Sequence, residues 1–297
     1  MDSLYLKQAA RGKLQGFYMS AVFGAVLYYI PSYIISLLNT LMATMGTGFE
    51  LISILISTVL IFCVVEVLLV GYMRSLLRIN DGSEKYDVNV VLSPYQMNFK
   101  NTLKIVFCKK IYLWGWELLI FLPFLILAGV MAFTSSTESM SELIQMSMQL
   151  MQSRTEQMAV NFYNLINDKF SYLLFAMPLA SVMSVLLCIP YIRKNYEYQM
   201  IPMLIAENPD ISRKDAFLRT KEIMKGHKLR FFSLQLSFFW LIPLAAFALE
   251  LTQSQVAYYL ADALIMPYIY MAYLQFYIFR TRVQTDDAPQ TDNLQND

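Results

Sequence analysis

The chain is short of the residues with which most enzymes do chemistry. Its 297 residues include one histidine, three cysteines and only 15% charged residues. The cysteines, Cys63, Cys108 and Cys188, stand far apart without CxxC spacing, so we interpret them as small buried apolar side chains. No GxSxG, HExxH or phosphate-cradling P-loop pattern is present. We therefore expect a protein that is not an enzyme and that uses no cofactor and no metal.

The apolar residues are instead gathered into long runs. They make up 57% of the chain, against roughly 45 to 50% in a soluble domain. A hydrocarbon core about 30 Å thick takes roughly 20 helical residues to cross. Runs of about this length predict six transmembrane helices, at approximately 17–38, 51–71, 111–133, 170–191, 231–250 and 257–279. Because FLPFLILAGVMAF is apolar on every side, these runs indicate helices rather than the alternating strands of a barrel.

Lysine and arginine are distributed unevenly between the loops. If the N-terminus is cytoplasmic, the inner segments hold 21 of the 23 basic residues, and the outer loops hold only Arg154 and Lys169. The positive-inside rule then predicts that both termini are cytoplasmic. The net charge of +1 conceals this asymmetry, and nothing in the charge pattern indicates binding to nucleic acid.

Basic amphipathic segments precede the first, third and fifth runs. They read LYLKQAARGKLQG, MNFKNTLKIVFCKK and SRKDAFLRTKEIMKG. Apolar residues share one side of each and lysines or arginines the other, as in helices that lie in a membrane interface. The third begins with Ser212 and Asp215 in capping-box spacing and stops at Gly226, a suitable left-handed cap. The predicted fold is therefore all-α, a polytopic membrane protein with six transmembrane helices and three basic amphipathic interface helices.

The third segment and the start of the fifth run concentrate positive charge beside the cytoplasmic leaflet. Anionic lipids there attract each such residue by about 1 kcal/mol. The candidate lipid contacts are Arg213, Lys214, Arg219, Lys221, Lys225, Lys228 and Arg230. His227 lies among them, and we interpret it as a solvated or lipid-facing residue rather than a metal ligand.

The remaining parts of the chain are one outer loop and a tail. Residues 1–282 are predicted to form a single membrane domain, in which the outer loop 134–169 has a helical pattern rich in methionine. Methionine is a soft ligand for copper(I), but no cysteine or histidine accompanies it, so we expect a surface amphipathic helix. Residues 283–297, rich in Thr, Asp, Asn and Gln, are predicted to be a disordered cytoplasmic tail.

Two acidic residues stand inside apolar runs. Glu66 lies in IFCVVEVLLV and Glu117 in WGWELLIF. Both lie at a predicted depth of about 10 to 12 Å from the cytoplasmic boundary, at 1.5 Å per residue. An acid at that depth is costly unless it is protonated, paired or open to water. The two could share a proton or a cation, or each could be a packing acid that is hydrogen-bonded separately to Tyr, Trp or Ser.

The block YEYQMIPMLIAENPDISRKDAFLRTKEIMKGHKLRFFSLQLSFFW, with the N-terminal AARGKLQG, resembles the bacterial integral membrane proteins of domain of unknown function family 975. The chain departs from them in its methionine-rich outer loop and in having no glycine before Trp240. The resemblance implies a bacterial cytoplasmic membrane protein and implies no activity. We expect a non-enzymatic component that acts through lipid contacts or through a membrane protein partner. The alternatives are a carrier of a small or amphiphilic solute that uses Glu66 and Glu117, and an intramembrane enzyme.

Overall fold

The computed structural model describes residues 3–82, 87–153 and 156–286, and these residues contain helices and no β-strand. The all-α prediction is confirmed. The α-helices are α1 Ser3–Leu14, α2 Tyr18–Thr44, α3 Thr47–Leu60, α4 Glu66–Asn80, α5 Ser93–Gln96, α6 Phe99–Thr134, α7 Thr137–Ser153, α8 Glu156–Lys169, α9 Leu173–Glu197, α10 Ile201–Glu207, α11 Arg213–Met224, α12 Lys228–Leu236, α13 Ile242–Thr252 and α14 Gln255–Asp286. A π-helical turn, Ile61–Val65, joins α3 to α4, and 3₁₀ turns at Val88–Leu92 and Phe239–Leu241 precede α5 and α13.

Five helical segments among the described residues are long and apolar enough to cross a membrane, which indicates a multi-pass membrane protein. They are Tyr18–Thr44, Ile52–Asn80, Phe99–Thr134, Leu173–Glu207 and Lys228–Thr252. The sixth predicted span, 257–279, falls within α14, which is long enough but is not among the five. The reason is composition, since that run carries six tyrosines together with Asp262 and Gln275.

Several helices continue past the apolar boundaries from which the spans were predicted. The second basic segment is not a separate interface helix, because α6 runs unbroken from Phe99 through the third span. Backbone hydrogen bonding does not stop where side chains become polar, so a helix can carry its basic end out of the apolar layer. At the other end of the chain, α14 extends to Asp286, beyond the predicted start of the tail at 283. Residues 287–297 of that tail lie outside the described residues.

Proline has two different effects in these helices. Pro31, Pro123, Pro178 and Pro267 lie inside α2, α6, α9 and α14, as expected for membrane helices. Pro243 instead stands in the first turn of α13, after the 3₁₀ turn Phe239–Leu241. The first turn of a helix needs no partner for the missing N–H of proline. The fifth predicted span is therefore two helices, α12 and α13, joined by this turn.

The chain divides into two compact units. One contains the described residues of 1–110 and 196–297, and the other contains those of 111–195. In the first unit α14 is the central helix and packs against α1, α2, α4, α11 and α13. Its buried residues include Ala263, Met266, Met271, Leu274 and Tyr277. The predicted sixth span is thus a core element of this unit, and its tyrosines pack against protein.

The second unit contains the predicted outer helical segment. It forms two helices, α7 and α8, which pack against each other. An ion pair between Lys169 and Glu142 joins them. The pattern of apolar residues at intervals of three and four indicated the helical structure, but not the break between the two helices. Residues 154 and 155, between α7 and α8, lie outside the described residues.

The apolar faces of α1 and α11 pack against protein. Leu6, Ala10 and Leu14 are buried on α1, which contacts α14, α12 and α4. On α11, Ile223 and Met224 are buried among neighbouring helices, whereas the sequence pattern favoured contact with the membrane interface. The predicted helix ends are confirmed. The Ser212 hydroxyl oxygen accepts a hydrogen bond from the Asp215 N–H at 3.1 Å, and Gly226 adopts φ +75° two residues after Met224, where the helix ends.

Candidate functional site

Glu66 begins α4 directly after the π-helical turn Ile61–Val65. Such a turn inserts one extra residue into a helix, and π turns frequently occur at functional sites. It also weakens the regular bonding of nearby carbonyl groups. The Tyr95 hydroxyl compensates for this, lying 3.1 Å from both the Cys63 and Val64 carbonyl oxygens. The widened turn, with its hydrogen bonds from Tyr95, therefore lies directly before Glu66 inside an apolar segment.

The Glu66 carboxylate has two lysines as electrostatic partners. Its Oε1 atom lies 3.4 Å from Nζ of Lys110, and the Glu66 side chain is 16% exposed. The neighbouring Lys109 is buried and also interacts electrostatically with Glu66. A buried ammonium group is costly unless an opposite charge lies nearby. We name Glu66, Lys109 and Lys110 the Glu66 cluster, which has a net positive charge when all three are ionised.

A close backbone contact fixes the segment that carries Tyr95. A Cβ atom on Gly71 would lie 1.8 Å from the carbonyl oxygen of Val91, so only glycine allows α4 and the 3₁₀ turn Val88–Leu92 to approach this closely. Asp87 caps that turn by accepting a hydrogen bond from the Asn89 N–H at 2.9 Å. Gly71 thus permits the close packing that places Tyr95 next to the π turn.

Glu117 lies in the other compact unit and has a different partner. The Tyr191 hydroxyl donates to Oε1 of Glu117 at 2.9 Å, which joins α9 to α6. In the same unit the Ser184 hydroxyl donates to the Ile120 carbonyl oxygen at 2.7 Å. This matches the interpretation of Glu117 as a packing acid bonded to tyrosine. Glu66 has a lysine partner that the sequence pattern did not indicate, and a site shared by the two acids stays a prediction.

Asp262 of α14 is part of an aromatic series. It accepts a hydrogen bond from the Tyr29 hydroxyl. The ring centroids of Tyr29 and Tyr28 are 4.9 Å apart, and those of Tyr28 and Tyr72 are 6.4 Å apart. The series continues from Tyr72 to Tyr270 at 6.1 Å. Tertiary contacts thus link Asp262 to a series of neighbouring tyrosine rings inside the first unit, of which Tyr72 is fully buried.

A sequence signal for this arrangement exists. Along α14, polar or aromatic residues recur at intervals of three and four and so share one helix face. They are Tyr259, Asp262, Tyr270, Tyr273 and Tyr277, with Met266 completing the interval. A face of this kind is typical of a helix that packs against protein rather than lipid.

Six of the seven candidate lipid contacts have exposed side chains. They are Arg213, Lys214, Arg219, Lys221, Lys225 and Arg230, which we name the basic surface. Lys228 differs, because its Nζ lies 2.5 Å from Oε1 of Glu197, whose side chain is 11% exposed. The Thr220 hydroxyl donates to the Glu197 carbonyl oxygen at 2.8 Å. Lys228 is therefore an internal contact of the first unit and is not part of the basic surface.

His227 precedes α12 and is only partly exposed. Partial burial lowers its pKa below the ordinary 6.5, and the positive charges of Arg280 and Arg230 lower it further. The residue therefore favours its neutral form at neutral pH. The described residues contain no group of three or more His, Cys, Asp or Glu side chains that could hold a metal ion.

Comparison with known proteins gives one match. The family described as "Protein of unknown function (DUF975)" matches residues 1–282. Neither a curated protein nor a solved structure matches the chain. The match covers every helix except the last residues of α14, and it includes the Glu66 cluster and the basic surface. The chain therefore belongs to this family of proteins of unknown function.

Proposed function

We propose that this protein is a non-enzymatic component of the bacterial cytoplasmic membrane that binds anionic lipids through its basic surface. The observation that carries the proposal is the placement of α11. Ala216, Ile223 and Met224 of this helix are buried against protein, whereas its four cations, Arg213, Lys214, Arg219 and Lys221, are exposed. Cations held at a surface by a packed helix attract an anionic leaflet without needing a specific pocket.

The proposed topology has six spans, with α14 as the sixth, and both termini in the cytoplasm. At 1.5 Å per residue the 32 residues of α14 extend for about 48 Å, more than the hydrocarbon thickness of about 30 Å. Its tyrosines and Asp262 are compatible with a membrane because they pack inside the first unit. The distribution of 21 basic residues inside and two outside supports the orientation. In this topology α1, α11 and the first turns of α6 lie at the cytoplasmic interface.

The full-length protein tests the lipid proposal directly. We expect the wild type, extracted in a neutral detergent, to retain phosphatidylglycerol over phosphatidylcholine, as measured by mass spectrometry of the bound lipids. Replacing the six residues of the basic surface with Gln should reduce this preference by more than tenfold, because each contributes about 1 kcal/mol near an anionic surface. Raising the salt concentration should weaken the wild-type preference as the Debye length falls.

A charge-retaining variant is the matched control. Exchanging Lys for Arg and Arg for Lys at the same six positions should preserve the lipid preference. If the Gln variant keeps the wild-type preference while remaining folded, the basic surface does not recruit lipid. A stable protein that co-purifies with the wild type and is lost in the Gln variant would instead favour the basic surface as a contact for a membrane protein partner.

The second candidate function is a carrier of a small or amphiphilic solute, and the Glu66 cluster favours it. A carboxylate beside two lysines at a π turn can exchange a proton or counter-ion as a solute binds. Substrate-dependent proton flux in proteoliposomes would support this function. Glu66→Gln should then abolish the coupling, while Glu142→Gln, an exposed acid of the outer helices, should not. Glu117→Gln tests whether the second acid takes part.

A further inference from the structure

A cavity outside the basic surface lies where the chain turns from α1 into α2. It has a volume of about 410 Å³ and is lined by Arg11, Leu14, Gln15, Gly16, Tyr18 and Tyr268. This volume falls within the range of small-molecule sites, roughly 300 to 1,000 Å³. The cavity belongs entirely to the first compact unit.

The local backbone explains why these side chains meet. Gly16 adopts φ +88°, a left-handed conformation that glycine accommodates without strain. The chain therefore turns between Leu14 and Tyr18, and residues from the last turn of α1 and the first turn of α2 line the same cavity. Tyr268 closes the opposite side from α14. Its ring packs edge-on against Phe238, with centroids 5.3 Å apart, so this wall is held in place.

The lining combines one fixed positive charge with polar and apolar groups. Arg11 lines the cavity and its side chain is exposed to solvent. The described lining residues include no carboxylate that would neutralise its charge. Gln15 supplies an amide and Tyr268 a phenol. The Tyr18 hydroxyl donates to the Leu264 carbonyl oxygen, which holds that ring in place. A guanidinium group presents several N–H donors in a planar fork that fits the oxygens of a phosphate.

We infer that this cavity binds the phosphate group of an amphiphile, with Arg11 as the charged contact and Tyr268 and Gln15 as polar contacts. The inference rests on the proposed topology, in which the turn between α1 and α2 lies at the cytoplasmic end of the first span and Tyr268 lies within the sixth. Aromatic side chains favour that layer, and an acyl chain can extend from it along the apolar surface of α2. The inference goes beyond the basic surface, because it assigns a single saturable site rather than a diffuse attraction.

The full-length protein in a neutral detergent tests the site with a dispersed short-chain lipid. We expect dioctanoyl phosphatidic acid to bind saturably at one site, as measured by isothermal titration calorimetry, and dioctanoylglycerol, which has no phosphate, to bind at least tenfold more weakly. Arg11→Gln should weaken binding of the phosphatidic acid at least tenfold. Arg11→Lys should recover part of the affinity, and Tyr268→Phe should weaken binding while preserving the shape of the wall.

Further measurements distinguish a lipid phosphate from free phosphate, and the cavity site from the basic surface. If inorganic phosphate binds as tightly as the phosphatidic acid, the assignment to an amphiphile is overturned. If Arg11→Gln binds like the wild type, the site itself is overturned, provided that its thermal unfolding shows an intact fold. The Gln variant of the basic surface should leave this titration unchanged, so a loss of leaflet preference and a loss of the cavity site can be told apart.

Discussion

The ammonium group of Lys228 lies 2.5 Å from the carboxylate of Glu197, 31 positions earlier in the chain. This pair joins the first residue of α12 to the last residue of α9, and Thr220 of α11 donates to the backbone of the same glutamate. Three helices thus meet at Glu197, which is buried. A lysine whose sequence neighbourhood indicated lipid contact thus has an acidic partner within the protein.

Lys228→Gln should therefore destabilise the protein. The substitution leaves a nearly buried carboxylate without its cation, which should cost about 1 to 3 kcal/mol, less than for a fully buried pair. Chemical unfolding in detergent measures the loss, and Lys225→Gln is the matched control because Lys225 is exposed. If the two variants unfold alike, the pair contributes no net stability. The double variant with Glu197→Gln should recover part of the loss.

Gly71→Ala should disrupt the contact between α4 and the 3₁₀ turn before α5. Its Cβ would lie 1.8 Å from the Val91 carbonyl oxygen, so backbone has to move, at a cost of about 1 to 3 kcal/mol or more. Gly129→Ala in α6 is the control, because a Cβ there meets nothing within 4 Å. Alanine should stabilise a helix at such a site by about 0.5 to 1 kcal/mol. Opposite changes in unfolding temperature are expected, and equal changes would contradict the close approach.

Glu66→Gln and Glu117→Gln distinguish a shared acidic site from two separate ones. Each carboxylate has a partner of its own, Lys110 or Tyr191, so we expect the effects on the free energy of unfolding to add within about 0.3 to 0.5 kcal/mol. A coupling above about 1 kcal/mol in the double variant would instead indicate a shared proton or cation. Tyr191→Phe should reduce stability when Glu117 is present and should have a smaller effect when it is combined with Glu117→Gln.

The orientation in the membrane can be tested with single cysteines. In a background that lacks Cys63, Cys108 and Cys188, a cysteine at Ser136 should react with an impermeant reagent added to intact cells. A cysteine at Thr285 should react only after the cells are permeabilised, because the distribution of basic residues places the C-terminus inside. Equal labelling of the two sites in intact cells would contradict the six-span topology, since three predicted spans separate Ser136 from Thr285 and put them on opposite sides of the membrane.

His227 should make stability depend on pH below neutrality. Its pKa is lowered in the folded protein by partial burial and by Arg280 and Arg230, so the unfolded chain binds the proton more readily. The contribution of His227 to the free energy of unfolding should therefore be constant above about pH 6.5, the pKa of histidine in the unfolded chain. Stability should fall as the pH decreases from there toward the lower pKa of His227 in the folded protein. His227→Gln should change little at pH 7 and should reduce this dependence. A variant with the wild-type pH profile would show that other groups cause it.

The amino-acid sequence by itself determined the helices, their approximate spans and several of their ends. Long apolar runs predict membrane helices because backbone polar groups must be satisfied inside the helix in lipid. Local chemistry was equally informative at Ser212 and Gly226, where a side-chain cap and a left-handed glycine depend only on neighbouring residues. Position within an apolar run does not distinguish a proline inside a helix from one at a helix start, and only the structure places Pro243 in the first turn of α13.

Only the tertiary structure decided which surfaces meet. The periodicity of α1 and α11 revealed an apolar face but could not show whether lipid or protein covers it, because both are apolar. The pairing of Glu66 with Lys110 is likewise absent from the local sequence, since 44 positions separate the two residues and packing brings them to 3.4 Å. The same holds for Asp262 and Tyr29. Hydropathy depends on the residues of one segment, whereas burial depends on the neighbours that the fold supplies. For this reason α14 is less hydrophobic than the five apolar spans and yet lies at the centre of its unit.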